Sequence, residues 1–187
     1  TLDAGRVLRF LTERLVTVLS VTGAGVSTLT DEMQTAALVA WHWSPDADPA
    51  ERKADLDDIY EMADFPVTAA GLIQRQPLVV TPGDPPEWGH RMQERAGQTL
   101  LVLPLVARDR VTGFVELWDS RSRRRFTETE IALAQTLINQ AAVAVDNARL
   151  FAESQRGISE MMLLYDIAVA AASSMELDTI LQTVVKT

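Results

Sequence analysis

The chain has 187 residues, 47% hydrophobic and 23% charged, enough for one good-sized domain with an appendage or for two very small domains. It contains no cysteine, which excludes disulfides, zinc–thiolate sites, iron–sulfur clusters, nucleophilic thiols and thioether-linked chromophores together. A formal net charge of −9 repels phosphate backbones and anionic membranes, and no apolar stretch approaches the roughly 20 residues a bilayer requires. No basic segment precedes an apolar one at the start, and the first residue is Thr1 rather than methionine. The expectation is a piece of a longer cytoplasmic protein, with neither nucleic acid nor membrane insertion in its function.

Residues 3–20 place Val7, Leu8, Leu11, Leu15, Val18 and Leu19 on one stripe at helical spacing, with Asp3 available as N-cap. Two runs rich in β-branched or aromatic residues follow, 25–30 (GVSTLT) and 36–43 (AALVAWHW), joined by a polar turn. The stretch 44–55 (SPDADPAERKAD) reads as a surface loop, and a short helix is predicted over 55–63. A further helical turn is predicted within 65–76, a short strand over 77–81, a loop over 82–89 and a turn or two of helix over 90–96. The pair 100–107 (LLVLPLVA) and 111–119 (VTGFVELWD) reads as a hairpin. Its runs show little polar alternation, so both sheet faces are expected to be covered. Pro104, lacking an N–H, suits an edge or a bulge.

The sharpest local signal comes next. Thr127 at the N-cap with Glu130 three residues on forms a capping box, and Phe126 with Ile131 can form a hydrophobic staple. From there Ile131, Ala134, Ile138, Ala141, Val145 and Ala148 recur at steps of three and four, a narrow seam with coiled-coil spacing. The alternative for 131–148 is an amphipathic helix packed on its own domain. Past Ala148 the seam continues in a shifted phase through Phe151, Ile158, Met162, Tyr165 and Val169. Residues 154–172 then read as a helical coiled-coil linker. Residues 173–187 read as the start of a new module, opening on an amphipathic helix capped by Ser173 or Ser174.

The segments LVLPLVARDRVTGFVEL (101–117) and RRFTETEIALAQTLINQAAVAVDNARLF (124–151), in this order and spacing, resemble the C-terminal half of a GAF domain. The resemblance covers residues 3–153, and 160–187 resembles the beginning of a second such domain. It implies an α+β fold: an antiparallel sheet of five or six strands with the first and last helices on one face. The other face would carry a pocket closed by loops and short helices. One departure is the hairpin turn Arg108-Asp109-Arg110, where the family more often has glycine.

The family's chemistries need particular atoms. Covalent bilin attachment and methionine-sulfoxide reduction need thiols, which this chain lacks, and the N-K…F…D-E pattern of the cyclic-nucleotide-binding members is not found. His42 and His90 are the only histidines. Either could in principle hold haem iron, but His42 between two tryptophans and His90 beside a loop read more simply as structural residues. No nucleophile–base pair stands out, so a non-catalytic domain is expected. Arg121, Arg123, Arg124 and Arg125, beside a helix start in an acidic chain, are expected to pair with Glu128, Glu130 or acidic loops.

The tryptophans carry the binding expectation. Trp41, Trp43, Trp88 and Trp118 fall where they would ring the pocket implied by the resemblance, and Trp118 shares a strand face with Phe114 and Glu116. Phe65, Leu72 and Ile73 would form the pocket wall, with the 44–55 loop as a lid. The competing reading is that the tryptophans fill the core. Two functions follow: a small-molecule-sensing input module of a sensor histidine kinase-like protein, or a ligand-free dimerisation spacer. In both, a homodimer through the terminal helices is expected.

Overall fold

A computed structural model describes residues 4–30, 32–53 and 59–185. The N-cap expected at Asp3 and the first four residues of the helix predicted over 55–63 lie outside the described residues. The chain divides into two compact units, Thr1–Asp146 and Asn147–Thr187.

The first unit begins with helix α1 (Ala4–Leu19), whose buried face is Leu8, Leu11, Thr12, Leu15, Val16 and Leu19. Val18, expected on that face, is exposed instead, and Val16 takes its place because the stripe drifts with the 3.6-residue period. A six-stranded sheet follows, built from β1 (Gly23–Leu29), β2 (Thr35–Trp43), β3 (Ile59–Glu61), β4 (Leu78–Val80), β5 (Thr99–Ala107) and β6 (Arg110–Asp119). Its order is β3-β2-β1-β6-β5-β4, and every described pairing is antiparallel. Between β3 and β5 lie two short helices, α2 (Pro66–Ile73) and α3 (Gly89–Glu94). The last element, α4, is helical from Glu128 to Val185.

Two expectations need correction here. The helix predicted over 55–63 is not what residues 59–61 form: Ile59, Tyr60 and Glu61 pair with Ala37, Ala36 and Thr35 as an edge strand. Tyr60 is buried while its neighbours Ile59 and Glu61 are exposed, and this inward–outward alternation satisfies a sheet edge better than a helix. The second concerns Ser173 and Ser174. The backbone is helical through both, so neither begins a new helix.

The sheet carries two apolar layers. On one face, Ala24, Val26, Ala40, Leu101, Leu103, Leu105, Val115 and Leu117 pack with α1 and with Ala134, Ile138, Ala141 and Ala142 of α4. On the other, Leu38, Leu100, Val102, Phe114 and Trp118 pack with Tyr60, Met62, Phe65, Leu72, Trp88 and Met92. Successive residues of β6 thus serve opposite layers, which is why its sequence lacks polar alternation. The capping box forms as expected. The Glu130 N–H donates to Thr127 Oγ1 (3.2 Å) and the Thr127 N–H donates to Glu130 Oε2 (2.7 Å). Phe126 and Ile131 both pack against the helix-side core. Pro104 lies past the end of β4, which pairs only with Leu100–Val102. Its carbonyl accepts from Gln135 Nε2 of α4 (3.0 Å), so its missing N–H falls on the side of β5 with no strand neighbour.

Candidate functional site

The face of the sheet opposite α1 and α4 is aromatic, and a bulge puts it together. Strict alternation along β2 would place Trp41 and Trp43 on the side opposite Leu38. Between Val26↔Ala40 and Ser27↔Leu38 the register skips Val39, and the alternation reverses there. Trp41 and Trp43 therefore join Leu38 on the aromatic layer. Trp41 lies across Gly25 of β1, in the space a Cβ would take, so that glycine is required by close approach.

Ring contacts then run without interruption. Trp43 meets Trp41 (centroids 5.7 Å), Trp41 meets Trp118 (6.5 Å) and Trp118 meets Trp88 (6.2 Å). Trp88 contacts Phe65 (4.9 Å) and Tyr60 (6.3 Å), and Tyr60 contacts Phe114 (5.9 Å). Tilted and edge-on contacts of this kind add to the area they bury. Phe65, Leu72, Trp88, Phe114 and Trp118 are buried, Trp41 and Trp43 are half-buried, and Ile73, expected on the pocket wall, is 67% exposed.

Within this apolar layer sits one carboxylate. Glu116 of β6 lies between Gly25 of β1 and Val102 of β5 and is fully buried. Its Oε2 accepts from Trp118 Nε1 (2.9 Å), while its Oε1 has no hydrogen-bond partner. Arg95, at the end of α3, brings Nη1 to 4.0 Å from Oε2 and lays its guanidinium over Trp41 (5.4 Å) and Trp118 (5.2 Å). Arg91, one turn earlier, covers Tyr60 at 4.1 Å. Tyr60 Oη is buried without a hydrogen bond of good geometry, and burial, reinforced by the Glu116 carboxylate that it faces, pushes its phenol far above the ordinary range.

A second carboxylate holds the wall in place. Glu87 accepts from the Val67 N–H (2.8 Å), the Thr68 N–H (2.9 Å) and the Thr68 hydroxyl (2.6 Å), capping α2 from a different element. Trp88 Nε1 donates to the same Thr68 oxygen (2.8 Å), so α2 and the 86–88 turn are locked as one piece.

A third carboxylate lies under the 44–53 loop. Glu51 is fully buried and neither of its oxygens has a hydrogen bond of good geometry. Burial pushes its carboxyl up, the Ser120 and Thr22 hydroxyls oppose this, and the Asp119 and Asp48 charges add to it. The loop is tied down by Trp43 Nε1 donating to Glu51 O (3.2 Å), by the Asp48 N–H donating to Ser120 Oγ (3.1 Å) and by Arg121 pairing with Asp46 (2.8 Å).

A GAF domain profile matches residues 1–146. The chain belongs to the GAF domain family. No curated protein matches it, but solved GAF structures share its fold. The blue-light-absorbing form of the Thermosynechococcus elongatus PixJ GAF domain is 14% identical, with a TM-score of 0.68 over 84% of this chain and 94% of that one. A GAF domain/HD domain protein from Geobacter sulfurreducens is 22% identical (TM-score 0.63, 79% and 95% covered). Residues 122 to 287 of a methyl-accepting chemotaxis protein are 19% identical (TM-score 0.63, 81% and 93% covered). The GAF assignment and the sheet with helices on one face thus agree with the expectations from sequence. The GAF family is generally regulatory and non-catalytic.

In this GAF domain the helix seam behaves differently from a free coiled-coil stripe over its first half. Ile138 and Ala141 are buried in the domain's own core, and Ile131 and Val145 pack against it. Ala148 is also buried, whereas Phe151, Ile158, Met162 and Tyr165 are exposed, Tyr165 at 70%. His42 lies on β2, and His90 pairs with Glu94 on the surface (3.1 Å).

Of the arginines, Arg121 and Arg124 pair as anticipated, with an acidic loop and with Glu130. Arg124 donates to the Leu19 carbonyl that ends α1 (2.9 Å) and pairs with Glu130, while Arg121 pairs with Asp119 (3.0 Å) as well as Asp46. Sequence reasoning missed Tyr60, Arg91, Arg95 and the Glu87 clamp. Arg95 sits on a segment with no long periodic pattern, and only its distance from Glu116 in space gives it meaning. Also missed was an open groove of about 610 Å3 between β5 and the first turns of α4, lined by Arg75, Pro104, Ile131 and Gln135 among others.

Among the described residues no group of three or more His, Asp or Glu could hold a metal ion, and no helix is long and apolar enough to cross a membrane.

Proposed function

We propose that this GAF domain is the small-molecule-sensing input module of a sensor histidine kinase-like protein, with α4 relaying the signal to a downstream domain. The observation that carries this reading is the two-sidedness of β6. Phe114, Glu116 and Trp118 face the aromatic layer, while Val115 and Leu117 face the core that holds α1 and α4. A ligand on the first face that shifts β6 changes the packing of α4 on the second. Packed cores respond to such shifts in discrete steps rather than by smooth deformation. The ligand biases that balance only by its differential affinity for the two arrangements, typically about 1–3 kcal/mol.

The site residues in this reading are Trp41, Trp43, Phe65, Leu72, Trp88, Phe114, Glu116 and Trp118, with the 44–53 loop as their cover. The relay requires a second copy, and the exposed Phe151, Ile158, Met162 and Tyr165 supply an apolar face for a homodimer. Thermal-shift screening of the 187-residue chain against a broad metabolite panel tests the reading. At least one compound is expected to raise the midpoint in a concentration-dependent way. If none does, the sensing role is lost.

The second reading, a ligand-free dimerisation spacer, is favoured by the closeness of the ring packing around Trp88. It predicts no ligand response but the same oligomer.

A further inference from the structure

The sensing reading leaves open what the aromatic face binds, and this inference rests on it. The chemistry around Glu116 narrows the answer. A fully buried carboxylate is costly unless it is paired and hydrogen-bonded. Here one oxygen is satisfied by the Trp118 indole (2.9 Å) and the other has no hydrogen-bond partner. The cation that faces it, Arg95, stands at 4.0 Å, well beyond the roughly 2.7–2.9 Å of a direct charge-assisted bond. Tyr60 Oη lies in the same neighbourhood and faces the Glu116 carboxylate, without a hydrogen bond of good geometry, and the charges of Glu116 and Arg95 both act on it.

The walls already select for a cation. The Arg95 guanidinium lies over both Trp41 (5.4 Å) and Trp118 (5.2 Å). It is tethered, however. Arg95 ends a helix of six residues, Ala96 after it has φ +51°, and Gly97 is pressed against the Trp118 ring, so the backbone from which the fork extends is held in place.

We propose that the Trp41–Trp118–Glu116 site takes a small planar organic cation of the guanidinium or amidinium class, and that Arg95 is its tethered competitor. A free fork can align two parallel N–H groups on the two oxygens of Glu116, which the tethered side chain does not. A third N–H would meet Tyr60 Oη. Charge balance favours this class over others. Exchanging Arg95 for another cation leaves the buried charge unchanged, a neutral ligand in its place strands the Glu116 carboxylate, and an anion meets that carboxylate directly.

The experiment is a titration of the full 187-residue chain with methylguanidinium, benzamidine and the neutral isostere methylurea at millimolar concentrations. The indole N–H resonances of Trp118 and Trp41 are followed by NMR. The two cations are expected to shift the Trp118 resonance saturably and methylurea to leave it in place. Glu116→Gln is expected to abolish the response, and Arg95→Ala to tighten binding about tenfold or more, because it removes the occupant that keeps the competent state rare.

Should Arg95→Ala fail to fold alone, folding restored by methylguanidinium but not by methylurea supports the proposal equally. No saturable shift, an equal shift with methylurea, a response that survives Glu116→Gln, or unchanged affinity in a folded Arg95→Ala variant would each overturn it. If another class of metabolite moves the thermal midpoint while the guanidinium probes leave Trp118 unmoved, sensing stands and the cation assignment falls. If nothing moves it, both fall.

Discussion

Thr127 and Glu130 satisfy each other's backbone N–H at the start of α4, and this local exchange was legible from four letters of sequence. Thr127→Ala is expected to cost about 1 kcal/mol, read as a lower urea midpoint with an unchanged m value. The Thr127 N–H holds the Glu130 carboxyl below its ordinary range, with help from the Thr127 hydroxyl and the Arg124 charge. A carboxyl depressed in the folded state stabilises above its unfolded pKa, and that contribution is lost as pH falls through the folded value. Glu130→Gln should therefore flatten the acid limb of a stability-versus-pH curve. Glu51 has the opposite sign. Its carboxyl is raised in the folded state, so the charged form is disfavoured and stability falls as pH rises through the folded value. Glu51→Gln should raise the melting midpoint at pH 8 relative to wild type, with the gain vanishing toward pH 4. A gain independent of pH would refute the burial argument. Nothing in the sequence distinguished Glu51 from other loop acids, because its burial is made by Thr22, Trp43 and Ser120 arriving from elsewhere.

Two glycines separate what an element requires from what it merely tolerates. Gly113 of β6 faces the Ser27 carbonyl of β1, so a Cβ there would meet backbone that cannot yield. Gly113→Ala is expected to destabilise by about 1–3 kcal/mol in chemical denaturation. Gly89 opens α3 with helical angles and has open space where a Cβ would go. Gly89→Ala should stabilise by about 0.4–1 kcal/mol, since it restricts the unfolded chain without strain. Equal effects at the two positions would contradict the packing described here. The stripe of α1 was readable from its helical period, the hairpin of β5 and β6 from two long apolar runs about a charged turn, and the start of α4 from its capping box. The edge strand β3 was not. Three residues carry no period, and Ile59–Glu61 becomes a strand only because Thr35–Ala37 offers an unpaired edge. The β2 bulge was likewise hidden, although it decides which layer receives Trp41 and Trp43.

For the molecule as a whole, α4 changes character along its length. Ile138 is fully buried against the sheet, so Ile138→Ala should cost about 2–5 kcal/mol of unfolding free energy. Met162 and Tyr165 are exposed, so Met162→Lys with Tyr165→Lys should change the domain's unfolding free energy by no more than about 0.5 kcal/mol. The same pair of substitutions should convert a dimer to a monomer in light scattering after size exclusion. A species unaffected by them would remove the homodimer from the proposed relay. Periodicity gave one continuous seam and could not tell a stripe that meets its own sheet from one that meets a partner, since both demand apolar residues at steps of three and four. Composition and local pattern determined which chemistries lack their atoms and where the long elements run, because absent thiols, caps and periods are properties of the chain itself, and the order and spacing of residues 101–117 and 124–151 carried the resemblance to a GAF domain. Only the tertiary structure decided which carboxylates are buried, which arginine faces Glu116 and which half of the seam is already occupied, because burial is set by residues distant in sequence that folding alone brings together.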